Sequence, residues 1–198
     1  MLSYTQNFLK RSMDLLCAVF GITIGFLPIL FLIIIAGIDT RSLGFFTQKR
    51  IGYKGKHFTI YKIKTIKGSD KESVYSTPKS NKISRYDKFL RQYKLDELLQ
   101  LLNILLGSMS LVGPRPDLIG FADTLAQKEQ LFLLVKPGLT SPASIKYRDE
   151  EQILSEQKNP ELYYKTHIWP DKVKLNNNYV KNWSFLTDLK IIIQTIFA

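Results

Sequence analysis

The sequence predicts an α+β protein, mainly helical and attached to a membrane. Three observations carry that expectation: a long uncharged apolar run near the N-terminus, two β-rich runs around a turn-prone tetrapeptide, and leucine and isoleucine repeats of helical period further along. The 198 residues suit one integrated fold, and a hydrophobic content of 45% excludes a disordered polymer. The 28 Lys and Arg against 17 Asp and Glu leave a net charge of +11, so the partner carries negative charge: nucleic acid, phospholipid headgroups or a phosphorylated substrate. Charge alone does not choose among the three.

The apolar run does choose. Leu15 to Ile38 carries no charge over a length that meets the roughly 20 residues needed to span hydrocarbon. It exceeds the roughly 7 to 15 residues of a signal-peptide core, and no small-x-small cleavage site follows it. Pro28 sits near its middle, where it removes a backbone donor, and Gly21 and Gly25 loosen the preceding turns. Lys10 and Arg11 precede the run while Arg41, Lys49 and Arg50 follow it, so both flanks carry the charges that favour the cytoplasmic side. A helix-break-helix that enters one leaflet and returns satisfies both observations; a kinked span is the alternative, and these residues leave both open. Cys17, the single cysteine, offers no disulfide or cysteine metal cluster and reads as a small packing residue.

Phe45 to Gln48 and His57 to Ile66 read as a β-hairpin around GYKG. Strand alternation puts Phe58, Ile60, Lys62, Lys64 and Ile66 on one side, which points two cations together. Lys67 to Lys82 is polar and punctuated by Gly, Ser and Pro, the composition of a surface loop. Ser84 caps a helix through Arg91, and a second helix runs from Leu95 to Leu106, with Leu95, Leu98, Leu99, Leu102 and Leu106 as its packed stripe and Gly107 as its stop. SLVGPRP is then a loop, Pro116 to Gln130 and Glu150 to Gln157 are helical, and KPGLTSP between them is a turn. In the C-terminal WSFLTDLKIIIQTIFA, Leu186, Leu189, Ile193 and Phe197 share one helical side, Asp188 and Thr195 lie opposite, and Trp183 suits the headgroup level.

The chemistry gathers at KLDELLQ. The plain structural explanation of Asp96 and Glu97 is that first-turn acids complement a helix dipole. Adjacent helical residues diverge by about 100°, so the two acids have separate jobs. Asp96 shares its side with Gln100, Asn103 and Gly107, a polar strip expected to face something wet or charged, and an ionised carboxylate there is an anionic nucleophile. A phosphate target would need cations to offset the charge. Arg91, Arg115, Lys62 and Lys64 are the candidates, and Glu97 is a candidate ligand for Mg²⁺. Singly, each of these is ordinary surface; their grouping beside a membrane segment singles them out. His57 and His167 have no metal-ligand spacing, and Asp171 and Lys172 read first as a solvated turn and second as substrate contacts.

The set FTQKRIG, YKIKT, LDELLQLLN, SLVGPRP, KPGLT and YVKNWSFLTDLKI closely resembles the bacterial sugar transferase family, the monotopic phosphoglycosyl transferases, in the correct order over nearly the whole chain. The resemblance implies transfer of a sugar 1-phosphate from a UDP-sugar to undecaprenyl phosphate, with release of UMP, at the cytoplasmic face of the bacterial inner membrane, as the initiating step of glycoconjugate assembly. It maps the nucleophile that forms a covalent phosphosugar intermediate onto Asp96, assistance to Mg²⁺ onto Glu97, and phosphate-binding arginines onto Arg91 and Arg115. It also implies a re-entrant membrane helix over residues 1–40, broken at Pro28, and a cytoplasmic catalytic domain with interfacial helices over 41–198. Membrane lipids are then partners and nucleic acid is not. Two departures stand out: Leu27-Pro28 replaces the Ser-Pro of many relatives, and Ser141, Pro142, Ala143 and Ser144 replace Gly-Trp-Ala-Gln after KPGLT. No residue fixes the sugar, the prenol length or the oligomeric state. The competing class is a membrane-tethered module that holds anions by charge alone, whose binding would weaken steeply with salt and survive Asp96→Asn.

Overall fold

A computed structural model describes residues 3–66 and 84–197, so the expected loop over 67–82 lies wholly outside the described residues. The chain begins with α1 (Tyr4–Thr40), capped by a reciprocal pair in which Ser3 accepts from the Gln6 amide and Gln6 accepts from the Ser3 amide. α1 is one helix rather than the two expected on either side of Pro28. Proline removes a single i to i−4 bond, and the helical bonds above and below it persist. By length and composition α1 can cross a membrane, and only 6% of its most apolar window is buried against protein.

Both ends of the apolar run nevertheless pack on the remainder of the molecule. Ala18 sits in a core with Ile60, Leu101, Ile104 and Met109, and Ala36 sits in another with Ile63 and Leu90. The Tyr86 hydroxyl donates to the Leu32 carbonyl at 2.8 Å. The small side chains at 18 and 36 let neighbours approach, while Phe20, Ile24, Leu27 and Phe31 stay exposed. Cys17 is on that exposed side, one residue and about 100° from Ala18, so it is not a packing residue.

β1 (Phe45–Ile51) and β2 (His57–Ile63) form the expected antiparallel hairpin, with β1 three residues longer than the sequence indicated and β2 ending before Lys64. α2 (Arg85–Gln92) carries the predicted Ser84 cap, reciprocated by Asp87. The next helix differs. Lys94 adopts a left-handed conformation (φ 55°), Leu95–Glu97 form a 3-10 turn, and α3 proper is Gln100–Leu105. A 3-10 turn advances about 120° per residue instead of 100°, so a few residues of it rotate everything downstream. Leu95 and Leu99 still pack inward, but Leu101 and Ile104 take the buried positions and Leu102 and Leu106 are exposed.

Ser110–Val112 and Gly138–Thr140, expected to be loop and turn, are short strands β3 and β4 paired in parallel. Gly113 and Gly138 make this possible: a Cβ on Gly138 would lie 2.1 Å from the Gly113 nitrogen. Residues 116–130 contain no α-helix, only 3-10 turns at Ala122–Thr124 and from Gln127 onward, which corrects the helical reading. There follow α4 (Pro142–Lys146), α5 (Glu150–Ser155), α6 (Pro160–Tyr163), a π-turn at Tyr164–Ile168, α7 (Trp169–Lys181) and α8 (Phe185–Phe197). α5 matches expectation. The main core joins Ile51, Phe132, Leu154, Ile168 and Val173, seating α5 and α7 against the end of β1.

α8 is amphipathic as predicted, with Leu186, Ile193, Ile196 and Phe197 exposed and Asp188 buried. Asp188 accepts from Lys10 at 2.6 Å, the Tyr179 hydroxyl at 2.7 Å and the Trp183 indole at 3.1 Å. Lys10 and Trp183, read as a topology charge and a headgroup anchor, thus form a buried clasp between α1 and α8. Arg11 likewise turns inward and donates to the Ile104 and Leu105 carbonyls at the end of α3.

Candidate active site

The 3-10 turn, the β2 strand and the Val-Gly-Pro-Arg-Pro segment converge on Glu97. Its carboxylate is 5% exposed and receives both terminal nitrogens of Arg115, one of them at 3.0 Å. Lys62, on the side of β2 that strand alternation indicated, stands 3.6 Å away. Burial would raise the Glu97 carboxyl, but Arg115, Lys62 and Lys94 outweigh it and hold the acid well below the usual carboxylate range. Glu97 in turn raises the Arg115 guanidinium. The pair is a two-pronged charge-assisted contact that fixes Arg115 in the plane of the carboxylate.

Glu97, Arg115 and Lys62 face a cavity of about 470 Å³, within the roughly 300 to 1,000 Å³ of small-molecule sites. Arg91 also reaches it, oriented by Thr65 at 3.0 Å and Glu151 at 3.1 Å, and so does Lys94, whose left-handed backbone is a local strain at the site. Lys64 does not line the cavity, because β2 ends at Ile63 and the chain turns away from the strand's alternation. Asp96 is buried at 5% exposure beside this wall, and its charge is felt at Arg115, but the lining passes through Lys94, Glu97 and Leu98. The strip below Asp96 is not wet: Asn103 accepts from the Tyr61 amide at 3.1 Å and donates to the Thr59 carbonyl at 2.7 Å, so it pins β2 to α3. Pro28 is on α1, outside the cavity lining.

Most of the far wall was not legible in the sequence, Lys172 excepted, which was read second as a substrate contact. It is built by α5, α7 and the segment after Arg115, and it includes Arg50, Asp117, Tyr147, Glu150, Trp169 and Lys172. Lys172 pairs with Glu150, and Asp171 accepts from Lys146 at 2.7 Å and the Tyr147 hydroxyl at 2.8 Å. The solvated turn expected at 171–172 is therefore the first turn of a helix, with one residue in the cavity and one bracing α4. Burial, with the Asp171 bond and charge, pushes the Tyr147 hydroxyl up to about 12. A third side is apolar, lined by Leu98, Leu139, Ile192 and Ile196, the last from the exposed face of α8.

Among the described residues no three His, Cys, Asp or Glu side chains cluster as a protein-only metal cage. Mg²⁺ does not require one, since it is commonly held by one or two carboxylates together with substrate phosphates and water. Glu97 is held deprotonated and is a donor of that type; Arg115 takes one lone pair on each of its oxygens, so Mg²⁺ would bind through the others. His57 and His167 are both exposed, and His167 stacks on Tyr163 at 4.6 Å.

Comparison with known proteins gives the same direction. The profile described as bacterial sugar transferase matches residues 5–198. The chain is 35% identical over 188 residues to an uncharacterized sugar transferase, EpsL, of Bacillus subtilis, covering 95% of this chain and 85% of that one. It is 33% identical to a UDP-glucose:undecaprenyl-phosphate glucose-1-phosphate transferase of Klebsiella pneumoniae, covering 86% of this chain and 36% of that one. Its identity to the protein of the same name in Escherichia coli is 31%, over 99% of this chain and 41% of that one. The chain therefore spans most of EpsL and under half of the two glucose-1-phosphate transferases.

Proposed function

Because the chain belongs to the bacterial sugar transferase family, we propose that it transfers a sugar 1-phosphate from a UDP-sugar to undecaprenyl phosphate, releasing UMP, through a covalent phosphosugar on Asp96. The observation that carries this reading is a single cavity with a cationic end at Lys62, Arg91 and Arg115 and an apolar side at Leu98, Ile192 and Ile196. A water-soluble diphosphate and a lipid phosphate can meet there. The activities that name the Klebsiella and Escherichia relatives support the donor and acceptor classes.

In the first half-reaction an Asp96 oxygen bonds to the β-phosphorus, the bond from that phosphorus to the bridging oxygen breaks, and UMP leaves with the electron pair. In the second, an oxygen of the lipid phosphate bonds to the same phosphorus and the Asp96 carboxylate is regenerated. Attack requires the Asp96 side chain to rotate toward the wall formed by Lys94, Glu97 and Leu98. Arg91 and Arg115 bind phosphate oxygens, and Lys62 offsets the charge of Glu97, so the nucleophile and the diphosphate need not meet as bare anions. Glu97 would hold Mg²⁺, which supplies Lewis-acid stabilisation of phosphate charge when bound.

The same reading places the protein at the cytoplasmic face of the inner membrane, with residues 1–40 dipping into one leaflet and residues 41–198 as the catalytic domain. Contacts at Lys10, Ala18, Leu32 and Ala36 support it, because both ends of the apolar run touch one body of protein. Measurement of UMP release with a panel of UDP-sugars, undecaprenyl phosphate and a chelator tests the function. Release should vanish with chelator and with Asp96→Asn, and intact mass should show a phosphosugar adduct when acceptor is withheld. A kinetic scheme that requires both substrates bound together, with no adduct at saturating donor, would replace the covalent route by direct transfer.

A further inference from the structure

Among the described residues, three carboxyl groups that the reaction above does not use line the cavity; Glu150 pairs with Lys172 and Glu151 with Arg91, which leaves Asp117. Asp117 lies two residues beyond Arg115, and its main chain is tied to β1 by a bond from the Ile51 amide to the Asp117 carbonyl at 3.0 Å. Its side chain lines the cavity and makes no hydrogen bond or ion pair among the described residues. The cations around it are occupied. Arg50 donates to Gln48 at 2.9 Å and to the Pro116 carbonyl, while Lys172 pairs with Glu150 and lies over the Tyr164 ring at 5.2 Å. Arg115 gives one N–H of each terminal nitrogen to Glu97 and keeps the others for phosphate.

Beside Asp117 the arrangement is a poor site for phosphate, because a carboxylate faces the cavity there and Arg50 and Lys172 already hold other partners. It suits a neutral ligand rich in donors. A carboxylate is acceptor-only and has room for two or more hydroxyl groups. We propose that Asp117 binds a vicinal diol of the donor, on its sugar or its ribose, and thereby helps to select the donor; this rests on the transferase reading above. The spacing agrees. Two residues of chain hold the Arg115 and Asp117 backbones within about 7 Å of each other, and both side chains line the same cavity.

The position is also costly, as a group kept for binding is expected to be. Burial pushes the Asp117 carboxyl up to about 7, against the pull of Lys172, Arg50 and Arg115 and with the push of Glu150. A folded-state value above the unfolded one means that the folded protein binds the proton more tightly, so this residue lowers stability as pH rises from about 4 through 7.

The test compares wild type with Asp117→Asn in UMP release across UDP-glucose, UDP-galactose and UDP-N-acetylglucosamine, and in calorimetric binding of UMP alone. A hydrogen bond to a charged group corresponds to about 10- to 150-fold. If the sugar is read, kcat/KM for the accepted donor falls by that factor with the affinity for UMP within two-fold; if the ribose is read, both fall together. In either case the variant should melt higher than wild type at pH 8, an effect that a supporting structural role would not produce. Unchanged kinetics and unchanged UMP affinity overturn the proposal. If wild type releases no UMP, the reaction is wrong, and calorimetry with UDP-glucose still decides the site: binding weakened in the variant upholds it, and no difference, or no binding by wild type, overturns it.

Discussion

Replacing Lys10 with Met should unseat the membrane helix from the catalytic body. The ammonium is 6% exposed and has three partners, the Val112 carbonyl at 2.7 Å, the Tyr179 hydroxyl at 3.2 Å and Asp188 at 2.6 Å. Asp188 is fully buried, so the substitution leaves a carboxylate with only the Tyr179 and Trp183 donors. Breaking one side of a buried pair costs about 3 to 5 kcal/mol, and the two remaining neutral donors place this case near the lower end. For a chain of this size each kcal/mol moves the melting temperature by roughly 2 to 4 °C, so a loss of about 6 to 12 °C follows. Thermal unfolding in detergent or nanodiscs reads the shift. Lys10→Met with Asp188→Leu should recover most of it, because the uncompensated charge is then gone. A single variant that melts within 2 °C of wild type would show that the ion pair contributes nothing, and the clasp argument would be refuted.

Other consequences can be checked independently. Arg115→Lys keeps the charge but loses the fork to Glu97, and UMP release should fall by about ten-fold or more while the protein stays folded. Gly138→Ala forces a Cβ onto the Gly113 backbone and should prevent the β3 and β4 pairing, read as loss of soluble expression or a much lower melting temperature. Glu97 has a depressed folded-state value, so its contribution is present above the unfolded carboxylate range and is lost as pH falls through and below it; the acid limb of a stability profile should be shallower for Glu97→Gln. In a Cys17→Ser background, cysteines at the exposed positions Tyr4 and Leu43 should label from the same side of sealed vesicles. Labelling from opposite sides would establish a span instead.

Some of this was legible because the relevant physics is local. An uncharged run from Leu15 to Ile38, a Ser84 cap, a hairpin around GYKG and the two sides of α8 follow from hydropathy, capping and period, and neighbouring residues suffice to read them. The family was legible from ordered motifs, and Glu97, Arg91 and Arg115, which those motifs carry, line the cavity, with Asp96 buried beside its wall. Strand alternation puts Lys62 in the cavity lining, whereas Lys64, past the end of the strand, does not line it: alternation predicts a side only while the strand lasts.

Tertiary structure decided the remainder. A left-handed Lys94 and one 3-10 turn rotated α3, exchanging which leucines are buried, and no propensity announces such a turn. Two three-residue strands formed because Gly113 and Gly138 meet across 25 residues of sequence, too far apart for either stretch to signal its partner. Lys10 became a clasp and Asp117 a cavity carboxyl through contacts with Asp188 and Ile51 that lie far along the chain. Charge and hydrophobicity are properties of a residue and can be read in place; burial and partnership are relations between residues, and only the folded chain assigns them.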